Sequence, residues 1–85
     1  MTLESRIDEP LAWVDARFAK GAISPRAFRW KHREFAVSAV NARWVDRSAR
    51  PVRYGFAVSA ATGEVFELEY REGDPVWTVT KVSTG

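Results

Sequence analysis

The residues able to do chemistry in this chain are few, and their spacing serves chemistry poorly. His32 is the single histidine and stands two positions from Glu34, the spacing of a general base with a carboxylate to orient it. A catalytic imidazole also needs a reacting group held in a cleft, and His32 reads instead as a turn residue in solvent. Glu67 and Glu69 share one strand face and could act as paired carboxylates or hold a cation. Their expected neighbours, Gly55, Ala57, Thr78 and Thr80, make an ordinary solvated surface. One His with scattered carboxylates offers no ligand spacing for zinc, and there is no Cys to supply thiolates or disulfides. Ser24, Ser38, Ser48 and Ser59 lack a nucleophile elbow, and the five glycines stand too far apart to cradle a phosphate. The chain is therefore expected not to be an enzyme and to use no cofactor or metal.

Charge is more informative. The formal net charge is only +2, yet the basic residues are concentrated in the middle of the chain. Arg17, Lys20, Arg26, Arg29, Lys31, Arg33, Arg43, Arg47, Arg50 and Arg53 stand there against Glu34 and Asp46 alone, while both ends are acidic. Arginine suits phosphate contacts and base stacking, and small curved sheets often present such a surface to single strands. Arg29, Lys31, Arg43, Arg47, Arg50 and Arg53, with Trp44 beside them, are the expected contacts of a non-catalytic module binding single-stranded nucleic acid. In the competing reading the same cations meet Glu64, Glu67, Glu69 and Glu72, in a second copy or in a protein partner. That would make the chain a protein-interaction or self-association domain, a homo-oligomer in the simplest case.

Such surfaces must be positioned by a fold, and the pattern throughout is short β-rich runs broken by turn signals. Four Trp, five Phe and two Tyr supply a dense core for 85 residues, each burying on the order of 150–250 Å². Residues 64–71 alternate strictly, with Phe66, Leu68 and Tyr70 on one side. Residues 52–60 match them across the loop Ala61-Thr62-Gly63, closed by a left-handed Gly63, which pairs Val58 with Phe66, Phe56 with Leu68 and Tyr54 with Tyr70. Residues 76–82 follow a four-residue loop and set Trp77 and Val79 opposite Tyr70 and Leu68. A second hairpin, residues 26–31 and 34–45 joined by His32-Arg33, sets Trp30 against Phe35 and Phe28 against Val37. The apolar parity of its long strand changes near residues 38–41, predicting a bulge or bend. Residues 11–18 carry the least regular strand pattern, with a short helix over 11–20 as the competing reading, and residues 20–25 read as an exit loop. The expected fold is all-β: a small curved antiparallel sheet or SH3-like partly open barrel of about five to six strands in meander order, in one domain. Trp13 and Trp44 are left without a core partner.

The order of these landmarks is similar to that of a known family. It comprises Asp8-Glu9-Pro10, a Pro-x-x-Phe-x-Trp segment over 25–30, Phe35-x-Val37, a lone Trp44, Arg-Tyr-x-Phe-x-Val over 53–58, Gly-x-x-Phe-Glu-Leu over 63–68 and Trp-x-x-x-x-Val over 77–82. It resembles a bacterial domain-of-unknown-function family of small β-rich domains. These stand alone or form the C-terminal part of larger proteins, some of them Y-family-polymerase-like mutagenesis proteins. The resemblance rests on core aromatics, so it implies a fold and no catalytic residues. Its company with polymerase-like proteins implies a role near nucleic acid. One departure is His32, where the family pattern leads one to expect Gly. No apolar run approaches the roughly 20 residues of a membrane span, and residues 1–10 hold charges and no signal-like segment, so a cytoplasmic location without membrane contact is expected.

Overall fold

The computed structural model describes residues 3–84. Seven strands follow one another: β1 (Leu3–Pro10), β2 (Trp13–Ala19), β3 (Ala22–Trp30), β4 (Arg33–Asp46), β5 (Arg53–Ala60), β6 (Val65–Arg71) and β7 (Thr78–Thr84). They form one curled antiparallel sheet in the order β1-β7-β6-β5-β4-β3-β2. Strands β2 to β7 are a meander. Strand β1 departs from that order by returning to pair with β7. The sheet thus has seven strands rather than five or six, and the additional one has only Leu3 and Ile7 as large apolar residues, too few for periodicity to mark it. Among the described residues no helix is long and apolar enough to cross a membrane.

Two corners curl the sheet into a half-open barrel. At the first, consecutive residues bind opposite flanks: the Leu11 N–H donates to the Trp77 carbonyl (2.8 Å) and the Ala12 N–H to that of Arg29 (3.0 Å). At the second, β4 changes partner. Residues 33–36 pair with β3, whereas Val37 onward pair with β5, and register shifts fall between Val37 and Ala39 and between Val40 and Ala42. The extra residues bend the strand, as the parity change near 38–41 predicts. Ser38 Oγ donates to the Ser59 carbonyl (3.0 Å) and Asn41 Nδ2 to Ser59 Oγ (2.8 Å), pinning the bent segment to β5.

The C-terminal registers are as expected: Val58 with Phe66, Phe56 with Leu68, Tyr54 with Tyr70, and Leu68 with Val79. Gly63 sits at φ +103° and its N–H donates to the Ala60 carbonyl (2.9 Å), closing the three-residue loop. A shift between Glu67 and Leu68 in the β6–β7 pairing sets Glu67 opposite Lys81 rather than Thr80.

Strands β3 and β4 pair two residues out of the expected register. Phe28 faces Phe35, Arg29 faces Glu34 and Trp30 faces Arg33. The turn is Lys31-His32, not His32-Arg33, with φ of 51° and 62°, so both central residues are left-handed as a type I′ turn requires. An even shift keeps every side chain on its face, so the same aromatics still enter the core. Because side chains with a Cβ are strained there, His32→Gly is expected to stabilise the protein by about 0.5–1 kcal/mol, a few degrees in Tm by differential scanning calorimetry.

Residues 13–19 are strand, not helix, and the predicted exit loop is a two-residue turn at Lys20-Gly21 (φ 52° and 76°), after which β3 begins at once. Pro25 lies inside β3. A register shift opposite Asp15 and Ala16 accommodates its missing N–H, and its ring is fully buried.

The core is built on Phe66, whose ring stands edge-on to Phe28 (5.0 Å), Phe35 (4.9 Å) and Trp30 (5.8 Å). Phe28 and Phe35 stack at 5.3 Å. A second run of rings leads outward: Phe56 on Trp77 (5.4 Å), Trp77 on Tyr70 (5.2 Å), Tyr70 on Tyr54 (5.8 Å). Phe56 and Trp77 are buried, and the two tyrosines are only partly so.

Candidate functional site

Strands β3 and β4 are hydrogen-bonded only near their turn, so residues 22–26 diverge from residues 40–46 and the barrel is open at that end. Arg43 spans the opening. It shares a face with Phe56, its partner on β5, and its guanidinium donates from Nη2 to Ser24 Oγ (2.8 Å) and from Nε to the Ile23 carbonyl (3.5 Å).

Three depressions that share residues run along this end. The first, about 480 Å³, lies between the β2–β3 hairpin tip and the rim tyrosines, lined by Phe18, Lys20, Ile23, Tyr54, Tyr70 and Glu72. The second, about 260 Å³, is bordered by Ile23, Arg43, Val45, Arg47 and Tyr54. The third, about 520 Å³, is lined by Arg47, Arg50, Pro51, Val52, Glu72 and Gly73. Phe18 is 73% exposed although it faces the same side of β2 as Val14 and Ala16. Together they form a groove with aromatic rings at one end and arginines at the other. Glu72 is the carboxylate that borders it.

The seven residues expected to contact nucleic acid do not share one face. Arg43 and Arg47 meet in the groove, and Arg50 lines its far end. Arg50 Nη1 is occupied by its own loop, donating to the carbonyls of Arg47 (2.6 Å) and Ala49 (3.1 Å). Trp44 projects from the outer side of the sheet, seated on Gly55, where an added Cβ would overlap its indole; it remains 44% exposed and also borders the second depression with Arg43 and Arg47. Arg53 is on that outer side too, 4.0 Å from Glu69. Arg29 and Lys31 are at the other end of the nine-residue β3, roughly 25 Å from the groove at a strand's rise per residue. Arg29 pairs with Glu34 at 3.5 Å and also donates to the His32 carbonyl, and Lys31 lies over the Trp30 ring at 4.8 Å. Arg33 reaches Glu64 at 3.9 Å. Several cations of the basic segment thus neutralise carboxylates of their own chain.

Among the described residues, Arg17, Lys20, Arg26, Lys31, Arg43, Arg47 and Arg50 have no carboxylate partner. Of these, Lys20, Arg43, Arg47 and Arg50 border the groove. Phe18, Lys20, Tyr54 and Tyr70 were not among the expected contacts. Their positions do carry a signal: Tyr54 and Tyr70 are the last inward-facing residues at one end of β5 and β6, where a ring with a hydroxyl meets water.

Asp46 shapes the loop carrying Arg47 and Arg50. Its Oδ1 accepts from Ser48 Oγ (2.6 Å), the Ser48 N–H (3.0 Å) and the Ala49 N–H (3.3 Å). These bonds, the Ser48 hydroxyl first, hold the Asp46 carboxyl below the ordinary carboxylate range, with Arg53 adding to the effect. A lowered folded-state pKa means that the stability Asp46 contributes is present in full above the ordinary carboxylate range and is lost as pH falls through the depressed value. Ser48→Ala is expected to return the Asp46 titration toward the ordinary range in an NMR pH series.

A family model for a domain of unknown function, DUF6504, matches residues 1–84. The chain belongs to that family. DUF6504 here is an all-β domain in which the matched residues span both barrel corners and the groove. Neither a curated protein nor a solved structure matches the chain.

Proposed function

We propose that this DUF6504 chain is a non-catalytic module that binds single-stranded nucleic acid along the open end of the half-barrel, acting in the cytoplasm. One observation supports the reading above others: Lys20, Arg43 and Arg47, free of carboxylate partners among the described residues, border a groove whose wall is Phe18, Tyr54 and Tyr70. Cations track a phosphate backbone, and exposed rings stack on bases of any sequence. Arg29, Lys31 and Arg53 are not assigned to this contact, because they lie away from the groove. Arg50 and Trp44 flank it.

The test is fluorescence anisotropy of a labelled single-stranded oligonucleotide at rising salt. Micromolar binding is expected at low salt, with log K falling against log salt by about 2 for three phosphate contacts. Absence of binding at about 50 µM protein in low salt ends this reading, since even non-specific binders reach that range. A protein-interaction role is the second reading, favoured by the ion pairs that occupy Arg29, Arg33 and Arg53.

A further inference from the structure

Strand β2 is the last strand of the sheet on its side, and among the described residues no backbone hydrogen bond joins its outer edge to another segment. An uncovered edge offers a row of N–H and C=O groups to any strand that fits it. The side chains on this edge are symmetric in type about Ala16. Val14-Asp15-Ala16-Arg17-Phe18 runs apolar, acid, small, base, apolar. Val14 and Phe18 lie on the inner face with their partners Phe28 and Ile23, and Asp15 and Arg17 on the outer face with Ala27 and Ser24. Asp15 and Arg17 are both exposed, and neither has a side-chain partner among the described residues.

We propose that β2 pairs antiparallel with β2 of a second copy of this chain, centred on Ala16. A two-fold axis through Ala16 sets Asp15 opposite Arg17 of the second copy, twice, and Val14 opposite Phe18, twice. The 73%-exposed Phe18 thereby gains an apolar cross-strand neighbour. Registers slipped by one residue, with the axis between two residues, lose the match of faces, because side chains alternate along a strand. Centring on Asp15 or on Arg17 restores the faces but sets two carboxylates or two guanidinia directly against each other, which is destabilising. Of the registers centred on 15, 16 and 17, the Ala16 one alone satisfies both faces and pairs Asp15 with Arg17. One short strand pair buries less than a standard interface, so the dimer is weak and reversible. Arg43 and Arg47 take no part in it, and its test needs no nucleic acid.

Sedimentation equilibrium of the full chain tests the pairing. The wild-type protein is expected to dimerise reversibly. Arg17→Asp and Asp15→Arg, each alone, are expected to weaken the dimer at least about tenfold by opposing like charges in both symmetric pairs. Mixing the two variants restores association as a heterodimer, and the double variant Asp15→Arg with Arg17→Asp restores the homodimer. Unchanged circular dichroism of these exposed-site variants establishes that the fold is intact. A wild-type chain that is monomeric at every concentration overturns the proposal, as does a dimer that either single variant leaves untouched.

Discussion

Truncating Phe66 to alanine is expected to remove a large share of the stability of this domain. The Phe66 ring is fully buried and meets Phe28, Trp30 and Phe35 edge-on, so it joins the two halves of the curled sheet: β6 on one side, β3 and the first part of β4 on the other. Loss of a buried Phe costs about 3–5 kcal/mol through lost transfer energy and the cavity left behind. A chain of 85 residues has roughly 4–13 kcal/mol in total at typical stability per residue. Urea denaturation followed by far-UV circular dichroism and Trp fluorescence measures the loss. Phe66→Leu keeps most of the volume and is expected to cost less than half as much. A loss below about 1 kcal/mol for Phe66→Ala is incompatible with a core centred on this ring.

The second large effect concerns binding. Arg43→Gln with Arg47→Gln is expected to weaken single-stranded oligonucleotide binding about tenfold or more at low salt, and to flatten the salt dependence by about 1.4 in the log–log slope. Arg43 also bridges β4 to Ser24 and the Ile23 carbonyl, and glutamine retains a donor for that contact. The thermal midpoint reports whether the opening has loosened. An equal weakening by Arg29→Gln with Lys31→Gln, at the opposite end of β3, would contradict the assignment to the groove.

Particular residues show how far the fold was legible beforehand. The β5–β6 register follows from strict alternation and a glycine at the one loop position that needs left-handed backbone, so Gly63 and the Tyr54–Tyr70 pairing are both readable. The β3–β4 turn has no such marker. Lys31 and His32 take positive φ without a glycine, and the turn slides by two residues while every face stays correct. Strand β1 carries little signal because Ser5 and Glu9 interrupt the apolar positions set by Leu3 and Ile7, and because its pairing with β7 joins the two ends of the chain, which local patterns do not reach. Pro25 reads as a loop residue until the shift opposite Asp15 and Ala16 shows how a strand absorbs it.

The site was less legible than the fold. Clustering of arginine in the sequence is real, but folding sets Arg33 beside Glu64 and Arg53 beside Glu69, spending those charges within the chain. Phe18 stands near the end of an irregular strand with no sequence mark of its own. It borders the groove because Lys20-Gly21 turns the chain back at once, holding the hairpin tip beside Tyr54 and Tyr70.

The most direct test is an NMR titration of isotope-labelled protein with a short oligothymidylate, following every backbone amide. Binding along the open end predicts shifts concentrated at Lys20, Gly21, Ile23, Tyr54 and Arg47, with the outer face around Glu67 and Lys81 unmoved. Shifts confined to that outer face or to the Lys31-His32 turn, or no shifts at saturating oligonucleotide, contradict the account.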